Sequence, residues 1–129
     1  MRTHTSTIHI AAPAADVHAL VADLDQLPRW AIGFAKAIER EGDGHVVTLT
    51  SGDRMPIAMV ADAEAGTADF HMNGAPAYTR TVPVEGGCVH TFTMIAEPDE
   101  PDALFDSKIE ALGHELTVLK AIAEAACPL

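Results

Sequence analysis

Positive charge is scarce in this sequence: eight Lys and Arg stand against nineteen Asp and Glu in 129 residues, a net charge of −11. Such a field repels phosphate backbones and anionic lipid surfaces, so no nucleic-acid partner and no stable membrane association are expected. Cysteine is scarce too. Cys88 and Cys127 have no Cys-x-x-Cys spacing and make no disulfide framework, which fits reduced thiols in the cytoplasm. The apolar runs fall far short of the roughly 20 residues that a spanning helix needs. The opening Met1-Arg2-Thr3-His4-Thr5 has no apolar stretch of the signal-peptide kind, so none is expected. No Ser-His-Asp set, phosphate loop or nucleotide fingerprint is readable, and no cofactor is expected.

What the chain does have is enough apolar material, 48% of its residues, to bury a core, and its length suits a single domain over residues 1–129. Thr3 to Ile10 is rich in β-branched residues and predicts a strand. Pro13 suits the first position of a helix that carries Val17, Leu20, Val21 and Leu24 at helical spacing. Asp25 is placed to cap a second short helix, with Pro28 in its first turn and Leu27, Trp30 and Phe34 along it. From Ala37 to Pro98 the period changes. Turn residues at 41–44, 51–53, 64–66, 73–74 and 85–87 separate six β-prone runs, and Asn73-Gly74 is the strongest hairpin signal among them. From Asp102 to Ala126 the apolar residues Phe105, Ile109, Leu112, Leu116, Leu119, Ala123 and Ala126 form one helical seam. A 25-residue helix is about 37 Å long and has only the sheet to lie against.

Two local patterns carry a resemblance to a known superfamily. Ile10-Ala11-Ala12-Pro13-Ala14-Ala15-Asp16-Val17 is similar to the Ile-x-Ala-Pro-x-x-x-Val start of the first helix in START-like (SRPBCC) proteins. Asp23-Leu24-Asp25-Gln26-Leu27-Pro28-Arg29-Trp30 is similar to their Asp-x-x-x-Leu-Pro-x-Trp second-helix pattern. With the element order, the resemblance spans nearly the whole chain and includes small polyketide cyclase/dehydrase-type and lipid-binding proteins. It implies an α+β helix-grip fold: a curved antiparallel sheet of about seven strands wrapped around a long C-terminal helix, with two short helices after the first strand. Where the family usually has an aromatic after the helix-1 valine, this chain has His18. The chain is also shorter than many members, which implies a small cavity.

In that fold the inner faces of the strands line a chamber, and alternation assigns the faces. Ala68, Phe70 and Met72 are expected inward, and so are Phe92 and Met94 with Cys88 and His90. On the strand between them, Tyr78, Arg80 and Val82 share one face and are expected inward, with an outward Arg80 as the alternative should a bulge shift the register. The expected ligand-binding wall is Trp30, Phe34, Met59, Phe70, Met72, Tyr78, Phe92, Met94, Leu112 and Leu116, with Trp30 near the mouth and a volume of roughly 300–1,000 Å³. Gly113 is expected to make room beside Leu112 for a ligand or a close strand.

An inward Arg80 could hold a carboxylate or enolate oxygen, and His90 could move a proton beside it. Cyclase-type relatives, by the resemblance, use an inward Arg, Tyr or His in this way. His90 is otherwise a hydrogen-bonded structural residue. Asp69-x-His71 and Cys88-x-His90 lie on opposite faces and lack a third ligand, so no metal is expected. His4, His9, His18, His45 and His114 are expected at the surface or in caps. Two functions stand side by side: a carrier that encloses a small hydrophobic, polyketide- or lipid-like molecule, and a cofactor-independent polyketide cyclase/dehydrase-type enzyme using Arg80 and His90. A structural or chaperone-like role ranks below both, and the protein is expected as a monomer or homodimer.

Overall fold

The computed structural model describes residues 1–73 and 76–129. Strand β1 (Thr3–Ile10) leads into helix α1 (Ala14–Ala22), a 3-10 turn (Leu24–Gln26) and helix α2 (Leu27–Trp30). Six strands follow: β2 (Ala35–Glu41), β3 (Gly44–Leu49), β4 (Arg54–Asp62), β5 (Thr67–Met72), β6 (Ala77–Val84) and β7 (Gly87–Ile95). Helix α3 (Asp102–Ala126) ends the fold. The seven strands form one antiparallel sheet in the order β1-β7-β6-β5-β4-β3-β2, so β1 closes the meander against β7. This is the helix-grip arrangement.

Local chemistry explains the elements and refines several expectations. Pro13 is the residue before α1 and not its first member, with φ −59° and ψ 138°. The cap of the 3-10 turn is Asp23, whose carboxylate accepts from the Asp25 N–H at 3.0 Å, and Asp25 instead pairs with Arg40. Gly66, at φ +72°, is required where β5 begins. A Cβ there would stand 2.2 Å from the Thr81 carbonyl oxygen, and the Gly66 carbonyl accepts from the Thr81 N–H at 2.8 Å. Along α3 the seam buries Phe105, Leu112, Leu116, Leu119 and Ala123, each leucine contributing about 2 kcal/mol. Ala126 is exposed, and a Cβ on Gly113 would meet open space, so this glycine accommodates neither strand nor ligand.

The sheet's inner face is as expected on β5 and β7 and reversed on β6. Ala68, Phe70, Cys88 and His90 are buried, with Met72, Phe92 and Met94 half-buried on the same face. On β6 the inward residues are Ala77, Thr79 and Thr81, whereas Tyr78, Arg80 and Val82 are exposed. The register gives the reason. Phe70 pairs with Ala77 and Asp69 with Tyr78, and residues directly opposite share a face. Tyr78 therefore goes out with Asp69, and Arg80 goes out with its partners Thr67 and Thr91. Of the expected Asn73-Gly74 turn, Gly74 lies outside the described residues.

Inward threonines need partners. Thr79 Oγ1 donates to the Ala68 carbonyl at 2.7 Å, and Thr81 Oγ1 shares a hydrogen bond with His90 Nδ1 at 2.8 Å. His18, expected at the surface, is buried where α1 crosses the sheet. Its Nε2 donates to the Thr67 carbonyl at 2.8 Å, so a polar ring takes the place of an aromatic one without leaving that nitrogen unpaired.

Candidate functional site

The half of the interior under α2 and the first turns of α3 holds a cavity of about 160 Å³. Leu27, Trp30 and Ala31 close it from above, followed by Gly33 and Phe34. Phe70, Met72, Ala77, Phe92 and Met94 form its floor from β5, β6 and β7, and Phe105, Lys108, Ala111, Leu112 and Glu115 form its α3 side. Its size is below the expected range because three aromatic rings occupy the space. Trp30 meets Phe70 edge-on at 6.2 Å between centroids and Phe92 at 6.5 Å, while Phe70 and Phe92 lie tilted at 5.9 Å. Trp30 is 1% exposed, so it is a buried wall and not a residue of the mouth.

Of the residues expected around a ligand, Trp30, Phe34, Phe70, Met72, Phe92, Met94 and Leu112 come together here. Leu116 is buried in the core beside them, outside the wall. Met59 borders a separate depression with Leu24, Arg40 and His45. Tyr78 and Arg80 stand on the opposite face of the sheet. His90 is fully buried but contributes nothing to the wall.

Two buried polar groups belong to residues of the wall, and neither was singled out from the sequence as polar. Glu115 is 6% exposed, and its Oε2 accepts from the Gly33 N–H at 3.1 Å. Burial pushes its carboxyl up to about 7, against the opposing pull of the Gly33 and Phe34 N–H groups. A second, the Trp30 indole N–H, is buried without a hydrogen-bond partner and has almost no accessible surface. A readable signal existed for the first: Glu115 sits three residues after Leu112 and four before Leu119, a carboxylate on the apolar side of an amphipathic helix. The cation on this wall, Lys108, is already paired with Glu100 at 3.0 Å.

His90 is a contrasting case. Its Nδ1 is bonded to Thr81 and its Nε2 has no partner, and burial pushes its pKa down to about 4, with His18 adding to the shift. A neutral, enclosed imidazole with no cavity beside it has no substrate to reach. Among the described residues no group of three or more His, Cys, Asp or Glu is placed to hold a metal.

The sequence profile described as polyketide cyclase / dehydrase and lipid transport matches residues 1–121. The chain belongs to that family. Solved structures agree on the fold. The protein XoxI from Bacillus cereus superposes with a TM-score of 0.79 at 12% identity, covering 95% of this chain and 96% of that one. A START superfamily protein from Mycobacterium smegmatis gives 0.73 at 15% identity, covering 95% and 97%. The di-domain ARO/CYC BexL from the BE-7585A biosynthetic pathway gives 0.73 at 20% identity, covering 94% of this chain and 46% of that one. A comparison with curated proteins found no match. No helix of this polyketide cyclase / dehydrase and lipid transport member is long and apolar enough to cross a membrane, among the described residues.

Proposed function

We propose that residues 1–129 act as one START-like domain that encloses a small hydrophobic molecule between the sheet and α3. The observation that carries this is the cavity of about 160 Å³ walled by Trp30, Phe34, Phe70, Phe92 and Leu112. That volume has room for about one ring. The reading places the domain in the cytoplasm, as a monomer or homodimer, on the strength of its free Cys88 and Cys127 and its charge of −11. A cyclase resting on Arg80 and His90 is not carried forward, because neither lines the cavity.

Toluene titrated against the emission of Trp30, the single tryptophan, tests the reading. Saturable change is expected in the wild type and none in Ala77→Leu, whose added carbons fill the floor. An emission that never responds to toluene means that the interior takes no guest.

A further inference from the structure

Among the described residues Glu115 is the one acidic group of the cavity wall. Its Oε2 accepts from the Gly33 N–H at 3.1 Å and lies 3.7 Å from where a Cβ on Gly33, itself a wall residue, would stand. Ala111 and Leu112, four and three residues earlier on the same helix face, line the cavity too. Oε1 accepts no hydrogen bond among the described residues, yet it is not sealed in as Trp30 Nε1 and His90 Nε2 are. In a residue only 6% exposed, the surface left to that oxygen belongs to the cavity. No cation of the wall answers it. Lys108, the other titratable group there, lies about 10 Å away along α3 and is held by Glu100 at 3.0 Å. A buried carboxylate without a counter-charge is costly, and a guest that supplies one removes the cost.

The count of donors narrows the guest. One open oxygen in an apolar, aromatic wall satisfies one donor. A primary ammonium would bury two further N–H groups with no acceptor. A hydroxyl donates once but brings no charge. A ketone only accepts, so it requires a protonated Glu115, and a carboxylate meets Glu115 as a like charge. A tertiary ammonium has a single N–H, gives it as a charge-assisted hydrogen bond, and is otherwise carbon. The net charge of −11 also draws cations toward the protein. We propose that the guest is a one-ring tertiary amine, bound as its ammonium ion with the N–H donated to Oε1 of Glu115. This rests on the hydrophobic-ligand reading above and names the chemical class of its guest. Glu115 is then the specificity-determining residue of the site, since the apolar wall around it selects by size alone.

The test is calorimetric titration at pH 8 with N-methylpiperidine, cyclohexanone and toluene, three one-ring molecules of similar size. At that pH the amine is protonated, and Glu115, whose carboxyl is pushed up to about 7, is mostly ionised. N-methylpiperidine is expected to bind the wild type at least tenfold tighter than either of the others. In Glu115→Gln, which keeps the shape and removes the charge, that advantage should vanish. The ligand series on the wild type needs no variant to fold. Toluene binding as tightly as the amine overturns the proposal and leaves the cavity reading standing. Cyclohexanone binding as tightly as the amine also overturns it, by making Glu115 a neutral donor. An advantage of the amine that survives in Glu115→Gln overturns it as well, because the overall negative field and not this carboxylate would then be the attraction. Binding of none of the three overturns both readings together.

Discussion

Under α1, the fully buried His90 lies among packed strands, held by Thr81 and close to His18. Under α2, the buried Glu115 stands on the wall of a cavity. Desolvation acts on both and disfavours the charged form of each, so it moves the imidazole down to about 4 and the carboxyl up to about 7. The two halves therefore have similar electrostatics and opposite use. A perturbed group with no free volume beside it is a structural cost, whereas one beside a guest-sized space is a candidate binding group. The comparison can be broken or sharpened at four places.

The largest effect is expected where both halves depend on one element. Leu116 is 2% exposed in the α3 seam, and an aspartate there would be a buried, unpaired charge. Leu116→Asp should lose on the order of 5 kcal/mol, enough to unfold a domain of ordinary stability. Circular dichroism through a thermal scan checks it. A soluble variant melting cooperatively near the wild-type temperature would show that α3 does not hold the two halves together.

Opposite pH slopes come next. His90 falls from 6.5 to about 4 on folding, so between those values the unfolded chain binds the proton and stability is lost as pH drops. Glu115 rises from 4.5 to about 7, so the folded chain binds the proton and stability is lost as pH climbs through that window. Each shift amounts to about 3 kcal/mol. Over the shared window, from pH 4.5 to 6.5, the two slopes oppose each other. Glu115→Gln should therefore gain on the wild type by about 3 kcal/mol between pH 4 and pH 8. Urea unfolding at both pH values measures the gap, and a constant gap would mean that Glu115 ionises freely in the fold.

How much of this was legible in the sequence depends on what each residue's signal was. The six strands after α2 follow turn residues that few other conformations accept, and α3 runs over the 25 residues its seam and flanking prolines define. Alternation along β6 separates Tyr78, Arg80 and Val82 from Ala77, Thr79 and Thr81 without saying which set faces inward. A two-residue Asn73-Gly74 turn, counted outward, already sets Phe70 opposite Ala77, so pairing was the stronger argument and side-chain type the weaker. Glu115 was passed over because a helix seam is read for its apolar members, and a single carboxylate among them looks like a solvated neighbour. The Trp30 donor had no signal at all. That an indole N–H lacks a partner depends on every atom around it.

Two alanines on one hairpin sharpen the comparison further. Ala68 on β5 lies under α1, and Ala77 on β6 borders the cavity, each buried on the inner face. Ala68→Leu should destabilise by about 1–3 kcal/mol, because a well-packed site has no room for three more carbons. Ala77→Leu should be neutral or slightly stabilising, because its added carbons occupy existing space. Equal losses at the two positions, read from chemical denaturation, would erase the distinction between a filled and an open half.

The smallest expected effect lies outside both halves, at Arg80. With Tyr78 42% exposed before it and Val82 37% exposed after it, Arg80 belongs to the outer row of β6, opposite Thr67 and Thr91. A solvated guanidinium with no salt-bridge partner among the described residues contributes little to folding. Arg80→Met should change stability by no more than about 0.5 kcal/mol, the ordinary range for such surface positions. It should leave the affinities for toluene and N-methylpiperidine unchanged, since the side chain is separated from the cavity by the thickness of the sheet. An inward arginine would behave otherwise on both counts. Removing it would relieve a desolvated charge and raise stability by about 1–4 kcal/mol. It would also shift the preference among polar ligands. Either change, measured by unfolding and by titration on the same preparation, would return Arg80 to the interior.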